Sequence, residues 1–212
     1  MATTPARCFN ALAADTRWHA FTPEEKQTVD AFVRRWGIRR GQHVLEPGCG
    51  AGRLTAVLAG QTGPAGRVVA FDSSREFIRV AEQRGLPVQV RLHRARVQAF
   101  PLPPAEFDHI VCFNVFPHLV PQAGVTRRLA AALKPGGIFW IAHTCSRQLV
   151  NAVHRGGPAP IRGHLLPAPR DLARLLRSAG LAGIEIEDAA GHFFARAVRP
   201  ARPSSRPVHH HA

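Results

Sequence analysis

Two groups of residues in this 212-residue chain have types and spacings that suit chemistry. The first is rich in histidine. His118 closes the run Asn114-Val115-Phe116-Pro117-His118, and His143 opens His143-Thr144-Cys145-Ser146-Arg147, with Asn151 and His154 just beyond. Arg147, Asn151 and His154 are spaced i, i+4, i+7. They fall on one face of a short helix expected over 147–154 and ended by Gly156-Gly157, a stripe that Val150 and Val153 do not share. A neutral imidazole can take a proton from a reacting group near neutral pH. Three imidazoles can also supply three nitrogen ligands to a metal and leave one position open for a substrate. His118, His143, Arg147, Asn151 and His154 are therefore the candidate catalytic residues, and His118, His143 and His154 the candidate metal ligands. A plainer role, hydrogen bonding to loops and helix ends, stands beside both.

The second group is a glycine loop, Glu46-Pro47-Gly48-Cys49-Gly50-Ala51-Gly52, between an apolar strand at Val44-Leu45 and a helix expected from Arg53 to Ala59. Glycines there let backbone amides approach a ligand closely. The dinucleotide fingerprint G-x-G-x-x-G would place a third glycine at position 53, where Arg53 stands; the glycines instead run G-x-G-x-G behind an acid. Asp72 ends the next strand, Arg67–Phe71, about 20 residues further on, the separation expected of a carboxylate that holds ribose hydroxyls. In this order and on these elements, the two features point to a nucleoside cofactor.

The elements that must position both groups alternate along the chain. Thr22-Pro23-Glu24-Glu25 opens a helix with a capping box, and Val29, Phe32, Val33 and Trp36 share its apolar face before Gly37 ends it. A helix over 75–84, strands over 88–92 and 107–113, a helix over 123–133, a turn at Pro135-Gly136-Gly137, a strand over 138–142, a helix over 170–179 and strands over 183–187 and 192–198 follow. Such alternation implies a mostly parallel sheet with helices on both faces, an α/β fold with its ligand site outside the carboxyl ends of the strands. The division expected is an N-terminal helical segment over 1–40 packing on the core, one catalytic domain over 41–198, and a disordered tail over 199–212 rich in Pro, Arg and Ser. Residues 1–20, with Trp18 and His19, have no obvious core partner and are expected to close over the pocket.

At these residues the chain resembles the class I, Rossmann-like S-adenosylmethionine-dependent methyltransferases. Glu46-x-Gly48-x-Gly50-x-Gly52 is similar to their first motif, and Phe71-Asp72-Ser73 to their second. Phe107-Asp108-His109-Ile110-Val111 resembles their fourth strand, and Leu133-Lys134-Pro135-Gly136-Gly137 the turn before the fifth. The resemblance covers residues 40–198 and implies a seven-stranded sheet whose last strand is antiparallel. It implies that Glu46 and the glycine loop meet the methionine part of the cofactor, while Asp72 holds the ribose. The cofactor-binding set it carries is Glu46, Gly48, Cys49, Gly50, Gly52, Asp72, Ser73, Val97 and Phe113. Where many relatives carry an acid that reaches the adenine amine, this chain has Arg96, so two outcomes are open: the adenine contact falls to backbone at Val97, or cofactor affinity is lower. The second site resembles a narrower, poorly characterised group with Phe-Pro-His after strand four and His-x-x-Ser-Arg-x-x-x-Asn-x-x-His after strand five, followed by a polar segment, here Gly163-His164-Leu165-Leu166-Pro167.

The activity so implied is methyl transfer to a small molecule, with S-adenosylmethionine as cofactor and a divalent metal as an additional expectation. Two other readings compete: an RNA or protein methyltransferase using the basic surface, and a cofactor- or metal-binding protein without transferase activity. The net charge of +14 invites nucleic acid. However, all but two of the basic residues are arginines scattered in short doublets, a pattern of solvated surface more than of a binding stripe. The paired-proline motif of many amino-group methylases is absent at Asn114-Val115-Phe116-Pro117. No apolar run approaches a membrane span. The four cysteines, Cys8, Cys49, Cys112 and Cys145, are scattered, and a reduced, cytoplasmic setting is expected.

Overall fold

The structure, a computed structural model, describes residues 5–201, with side chains from Cys8 onward. Residues 202–212, where most of the expected tail and its histidines His209, His210 and His211 fall, lie outside them. Seven strands form one sheet: β1 (His43–Pro47), β2 (Arg67–Asp72), β3 (Val90–Arg94), β4 (Phe107–Phe113), β5 (Leu133–His143), β6 (Ala182–Asp188) and β7 (Phe193–Val198). Their order is β3-β2-β1-β4-β5-β7-β6. The first five run parallel, and β7 is antiparallel to both β5 and β6. The helices are α1 (Pro5–Leu12), α2 (Pro23–Trp36), α3 (Arg53–Thr62), α4 (Arg75–Glu82), α5 (Gln122–Ala132), α6 (Arg147–Gly156) and α7 (Pro169–Ser178).

Strand alternation splits the core between the two faces of the sheet. Val44, Val68, Val111, Trp140 and Phe194 face α2 and α3, where Phe32, Trp36, Leu54 and Leu58 complete one cluster. Their neighbours Leu45, Ile110, Phe139, Ile141 and Phe193 face the opposite way, onto Leu129 of α5 and Leu172 and Leu176 of α7. Because both faces of the central strands are covered, these strands read as continuous apolar runs. The capping box expected at α2 is present: the Glu25 amide donates to Thr22 Oγ1 and the Thr22 amide to Glu25 Oε2.

Two expected boundaries move. The third strand starts at Val90, not Val88, because its ladder with β2 begins with Val68 opposite Val90, and Val88 is 87% exposed. The turn at Pro135-Gly136-Gly137 is a bulge inside one long strand. Phe107 pairs with Leu133 and His109 with Ile138, so five steps on β5 match two on β4. The bulge is fastened by Lys134 Nζ donating to Asp108 Oδ2 at 2.8 Å and by the Gly136 amide donating to the carbonyl of Arg199 at 2.8 Å. Parallel pairing places the carboxyl ends of β1, β2, β4 and β5 along one edge, and both candidate sites are built there. No helix of the described residues is long and apolar enough to cross a membrane.

Candidate active site

The glycine loop leaves β1 in a tight left-handed course: Gly48, Gly50 and Gly52 have φ of +70°, +53° and +74°. The amides of Gly48 and Cys49 both donate to the carbonyl of Phe71, which ties the loop to β2. A Cβ at position 48 would lie 2.2 Å from Val115 Cγ2, so the loop presses on the segment that follows β4. A Cβ at position 50 would meet nothing within 4 Å, so that turn borders open space. Asp72 closes the arrangement: its carboxyl accepts from the Gly50 amide at 3.0 Å and from the Ser74 amide at 2.8 Å.

Glu46 is buried at the end of β1, where Thr55 Oγ1 donates to its Oε2 at 2.6 Å. Burial, reinforced by the neighbouring Asp72, pushes its carboxyl up to about 8. Burial also raises Asp72. Two neighbouring carboxyls, buried Glu46 and half-buried Asp72, meet here, and among the described residues no lysine, arginine or histidine forms an ion pair with either. Cys49, inside the loop, is buried, and burial raises its thiol, so it fills space as a small neutral group. Ser73 is half-buried; its neighbour Ser74 does more, capping α4 through the Phe77 amide and donating to Asn10 Oδ1 at 2.7 Å. Val97 is buried against Phe71 and Phe100, while Arg96 is exposed and supplies its carbonyl to the amides of Ala99 and Phe100. Phe113 is buried, with Phe21 edge-on at 5.9 Å.

The histidines lie across the loop from this group. His118 stands in a one-turn helix over Phe116–His118, with His154 of α6 at 4.6 Å between ring centroids and His164 at 5.3 Å. His143, the last residue of β5, is 3% exposed, and its Nε2 has no hydrogen-bond partner. Burial, then the nearby imidazoles, brings His118 down to about 3; burial, then His154, does the same to His143. Burial lowers His154 and His164 as well. No carboxylate lies within ion-pair distance of any of these four rings among the described residues, so the cluster is neutral at pH 7.

The remaining candidates have protein partners. Arg147 Nε donates to Asp188 Oδ2 at 2.6 Å, so its guanidinium joins α6 to the end of β6. Asn151 is buried and clamps Leu166: its Nδ2 donates to the carbonyl of Leu166 at 3.0 Å, and the Leu166 amide donates to its Oδ1 at 2.8 Å. The metal expectation for His118, His143 and His154 is not met by this geometry. Nδ1 of His118 faces Nδ1 of His164, and Nδ1 of His154 faces the carbonyl of His164. Among the described residues no three His, Cys, Asp or Glu side chains are grouped to hold a metal ion. Burial raises the Cys145 thiol, which argues against a nucleophile there.

Three contributors shape the cleft, of which sequence reasoning expected the N-terminal segment but neither its helix nor the other two. Helix α1 covers the cleft: Asn10 reaches Ser74, Phe9 packs edge-on against His118 at 4.9 Å, and Ala13 is buried with Ala51 and Phe77. Its i, i+3, i+4 spacing of Phe9, Leu12 and Ala13 was the available signal. Trp18, expected to help close the pocket, is 40% exposed, whereas His19 turns back to the carbonyl of Ala13. Arg53, at the place of the third glycine, pairs with Glu25 at 2.8 Å, donates to the carbonyl of Ala20 at 3.1 Å and lies over the Phe21 ring at 4.5 Å. Arg84 donates to the carbonyls of Ala51 and His19. Both arginines fasten the N-terminal segment to the glycine loop. His164 is the third.

With this geometry in place, comparison with known proteins decides the family. Residues 44–137 match the model of a methyltransferase domain family. A ubiquinone biosynthesis O-methyltransferase of Xylella fastidiosa (strain 9a5c) is 33% identical over 187 residues, covering 82% of this chain and 71% of that protein. The chain belongs to the class I, Rossmann-like S-adenosylmethionine-dependent methyltransferases. Solved structures agree on the fold of the methyltransferase. A SAM-dependent methyltransferase from Aquifex aeolicus superposes with a TM-score of 0.66 at 21% identity, covering 93% of this chain and all of that one. A Haemonchus contortus phosphoethanolamine N-methyltransferase bound to phosphomonomethylethanolamine and S-adenosylhomocysteine superposes at 0.68 with 18% identity, covering 82% of this chain and 52% of that one. The enzyme's seven-stranded sheet with β7 antiparallel is the sheet that the sequence motifs imply.

Proposed function

We propose that this enzyme transfers the methyl group of S-adenosylmethionine to an oxygen of a small molecule. The observation that carries the reading is the neutral histidine cluster at the carboxyl ends of β4 and β5, beside the glycine loop. The carbonyl of His164 can only accept, so Nδ1 of His154 carries the hydrogen and its Nε2 keeps a lone pair. A buried, partnerless Nε2 on His143 costs about 1–3 kcal/mol unless a ligand meets it. Neutral imidazoles suit a hydroxyl acceptor, whose proton must leave as the oxygen lone pair attacks. The printed activity of the Xylella fastidiosa relative, an O-methyltransferase, supports the same atom.

The cofactor supplies an electrophilic methyl group on a positively charged sulfur. Glu46, buried and lacking a cation, fits its ammonium group; Asp72 fits the ribose hydroxyls; Gly48, Cys49, Gly50 and Gly52 fit close backbone approach, with Ser73, Val97 and Phe113 around the nucleoside. In the transfer, His154 Nε2 takes the acceptor's proton, a carbon–oxygen bond forms and the carbon–sulfur bond breaks. His118 and His143 line the acceptor side, and Arg147 and Asn151 hold α6 and the segment before α7 in place. The arginines that invite an RNA reading are spread over the surface, with Arg17, Arg35, Arg67, Arg79, Arg174 and Arg196 each paired to an acid.

The test is turnover of S-adenosylmethionine to S-adenosylhomocysteine with a panel of phenols, aliphatic alcohols, amines and RNA. Methylated oxygen is the expected product, and His154→Gln lowers kcat by about 100-fold with cofactor affinity unchanged. Turnover confined to amines or RNA would overturn the proposal.

A further inference from the structure

The twelve residues between α6 and α7, 157–168, run past the histidine cluster and are pinned by Asn151 through both polar groups of the Leu166 peptide. His164 sits two residues before that anchor and makes two contacts. Its ring Nδ1 lies 3.1 Å from Nδ1 of His118, and its backbone carbonyl accepts from Nδ1 of His154. The first contact has a simple consequence. Between two neutral imidazoles, an Nδ1···Nδ1 hydrogen bond holds one hydrogen, so the rings must be opposite tautomers. The ring that donates through Nδ1 has a bare Nε2, and the ring that accepts carries an Nε2–H. Residues facing His118 are His154 from α6, His143 from β5 and Phe9 from α1; none can compete for its Nδ1 as a carboxylate would.

We propose that His164 is a positioning residue that fixes the tautomer of His154 through its carbonyl and ties the tautomer of His118 to the opposite of its own through its ring. The cluster then offers a defined pattern: a bare Nε2 on His154, and between His118 and His164 one bare Nε2 and one Nε2–H. Such a set takes a hydroxyl proton on one nitrogen and can hold a second oxygen of the same acceptor with an N–H. A scrambled set would present either pattern at random. The role in catalysis rests on the O-methyl transfer proposed above; the tautomer assignment does not.

The experiment is long-range ¹H–¹⁵N correlation on ¹⁵N-histidine-labelled full-length enzyme, dialysed against a chelator, at pH 7, with assignments from single His variants. It needs no methyl acceptor, so its outcome is separable from that of the turnover assay. Expected are an N–H at Nδ1 of His154 with a bare Nε2, opposite tautomers at His118 and His164, and a ¹⁵N–¹⁵N coupling across their hydrogen bond. In His164→Ala, which keeps the backbone carbonyl, His154 keeps its tautomer while the tautomer ratio of His118 shifts and the coupling vanishes. Matching tautomers at His118 and His164, or a bare Nδ1 at His154 in the wild type, overturn the proposal. So does loss of the shared hydrogen on adding one equivalent of zinc, because a metal would then own those nitrogens.

Discussion

Cofactor binding should release a proton, and Glu46 is its source. In the free enzyme this carboxyl sits near 8, so at pH 7 it is about 90% protonated. The ammonium of S-adenosylmethionine pairs only with the carboxylate. The cofactor's own amino group, with an ordinary α-amino pKa near 8, is about 10% deprotonated at the same pH and takes up that fraction. The net release is about 0.8 proton per site at pH 7 and nearly one at pH 6. Affinity therefore rises roughly ten-fold from pH 6 to 7, since one unit of ionisation is about 1.4 kcal/mol, and is greatest near pH 8. The sign for folding is opposite. A carboxyl raised from 4.5 to about 8 binds more protons folded than unfolded, so the cofactor-free enzyme loses up to about 1.4 kcal/mol per unit as pH rises between those values. Titration calorimetry in two buffers of different ionisation enthalpy reads the proton directly. Glu46→Gln should abolish the release, flatten both pH dependences and weaken binding about ten-fold or more at pH 8. A wild type with flat affinity between pH 6 and 8 and no proton release would refute the reasoning.

The two glycines of the loop should respond differently. Gly48→Ala puts a Cβ into Val115 on top of a left-handed φ, costing about 2–4 kcal/mol, while Gly50→Ala meets only the conformational penalty of about 1 kcal/mol, a difference that thermal unfolding resolves. Gly50→Ala should still weaken the cofactor, because its Cβ enters the open space beside the loop, and equilibrium binding tests that. Asn151→Ala orphans a buried amide and carbonyl at Leu166, about 1–3 kcal/mol, and should speed hydrogen exchange over 157–168 with the cofactor dissociation constant unchanged. Phe9→Ala with Asn10→Ala removes the two anchors of α1 and should weaken S-adenosylmethionine several-fold by surface plasmon resonance; unchanged affinity would mean that α1 is not a cover.

The glycine-loop half was legible as structure because each part of it is local. A strand, a run of spaced glycines, a helix and an acid at the end of the next strand lie within residues 43–72, and periodicity assigns each element. The acceptor half was legible only as a list. That Arg147, Asn151 and His154 share a face was readable, but not that Arg147 is drawn to Asp188, 41 residues away, or Asn151 to the segment before α7. His164 depends on a contact with a ring 46 residues earlier, and the N-terminal segment on anchors 33–65 residues distant, Arg53 to Ala20, Ser74 to Asn10 and Arg84 to His19. Each is a polar contact made by folding, which no spacing rule encodes. One local sign was available on α6. Its buried side carries Asn151 and part-buried His154 beside the single core residue Val150, while Leu149 and Val153 are 54% and 62% exposed. A helix that turns its polar stripe inward is built around a site more than around a core.

The two halves divide the electrostatic work. In the proposed reading Glu46 brings negative charge to the cofactor's ammonium, Asp72 accepts from the ribose hydroxyls, and the histidines bring no charge. That division limits where the acceptor's proton can rest. An imidazolium at His143 would be fully buried beside His154, and one at His118 would face three other imidazoles; both rings sit near 3. His154 is the exit. It is half-buried, and although burial lowers it, its Nδ1–H bond to the His164 carbonyl favours the charged form. On the proposed transfer, the stretch between α6 and α7, whose His164 carbonyl faces His154, belongs to the catalytic apparatus.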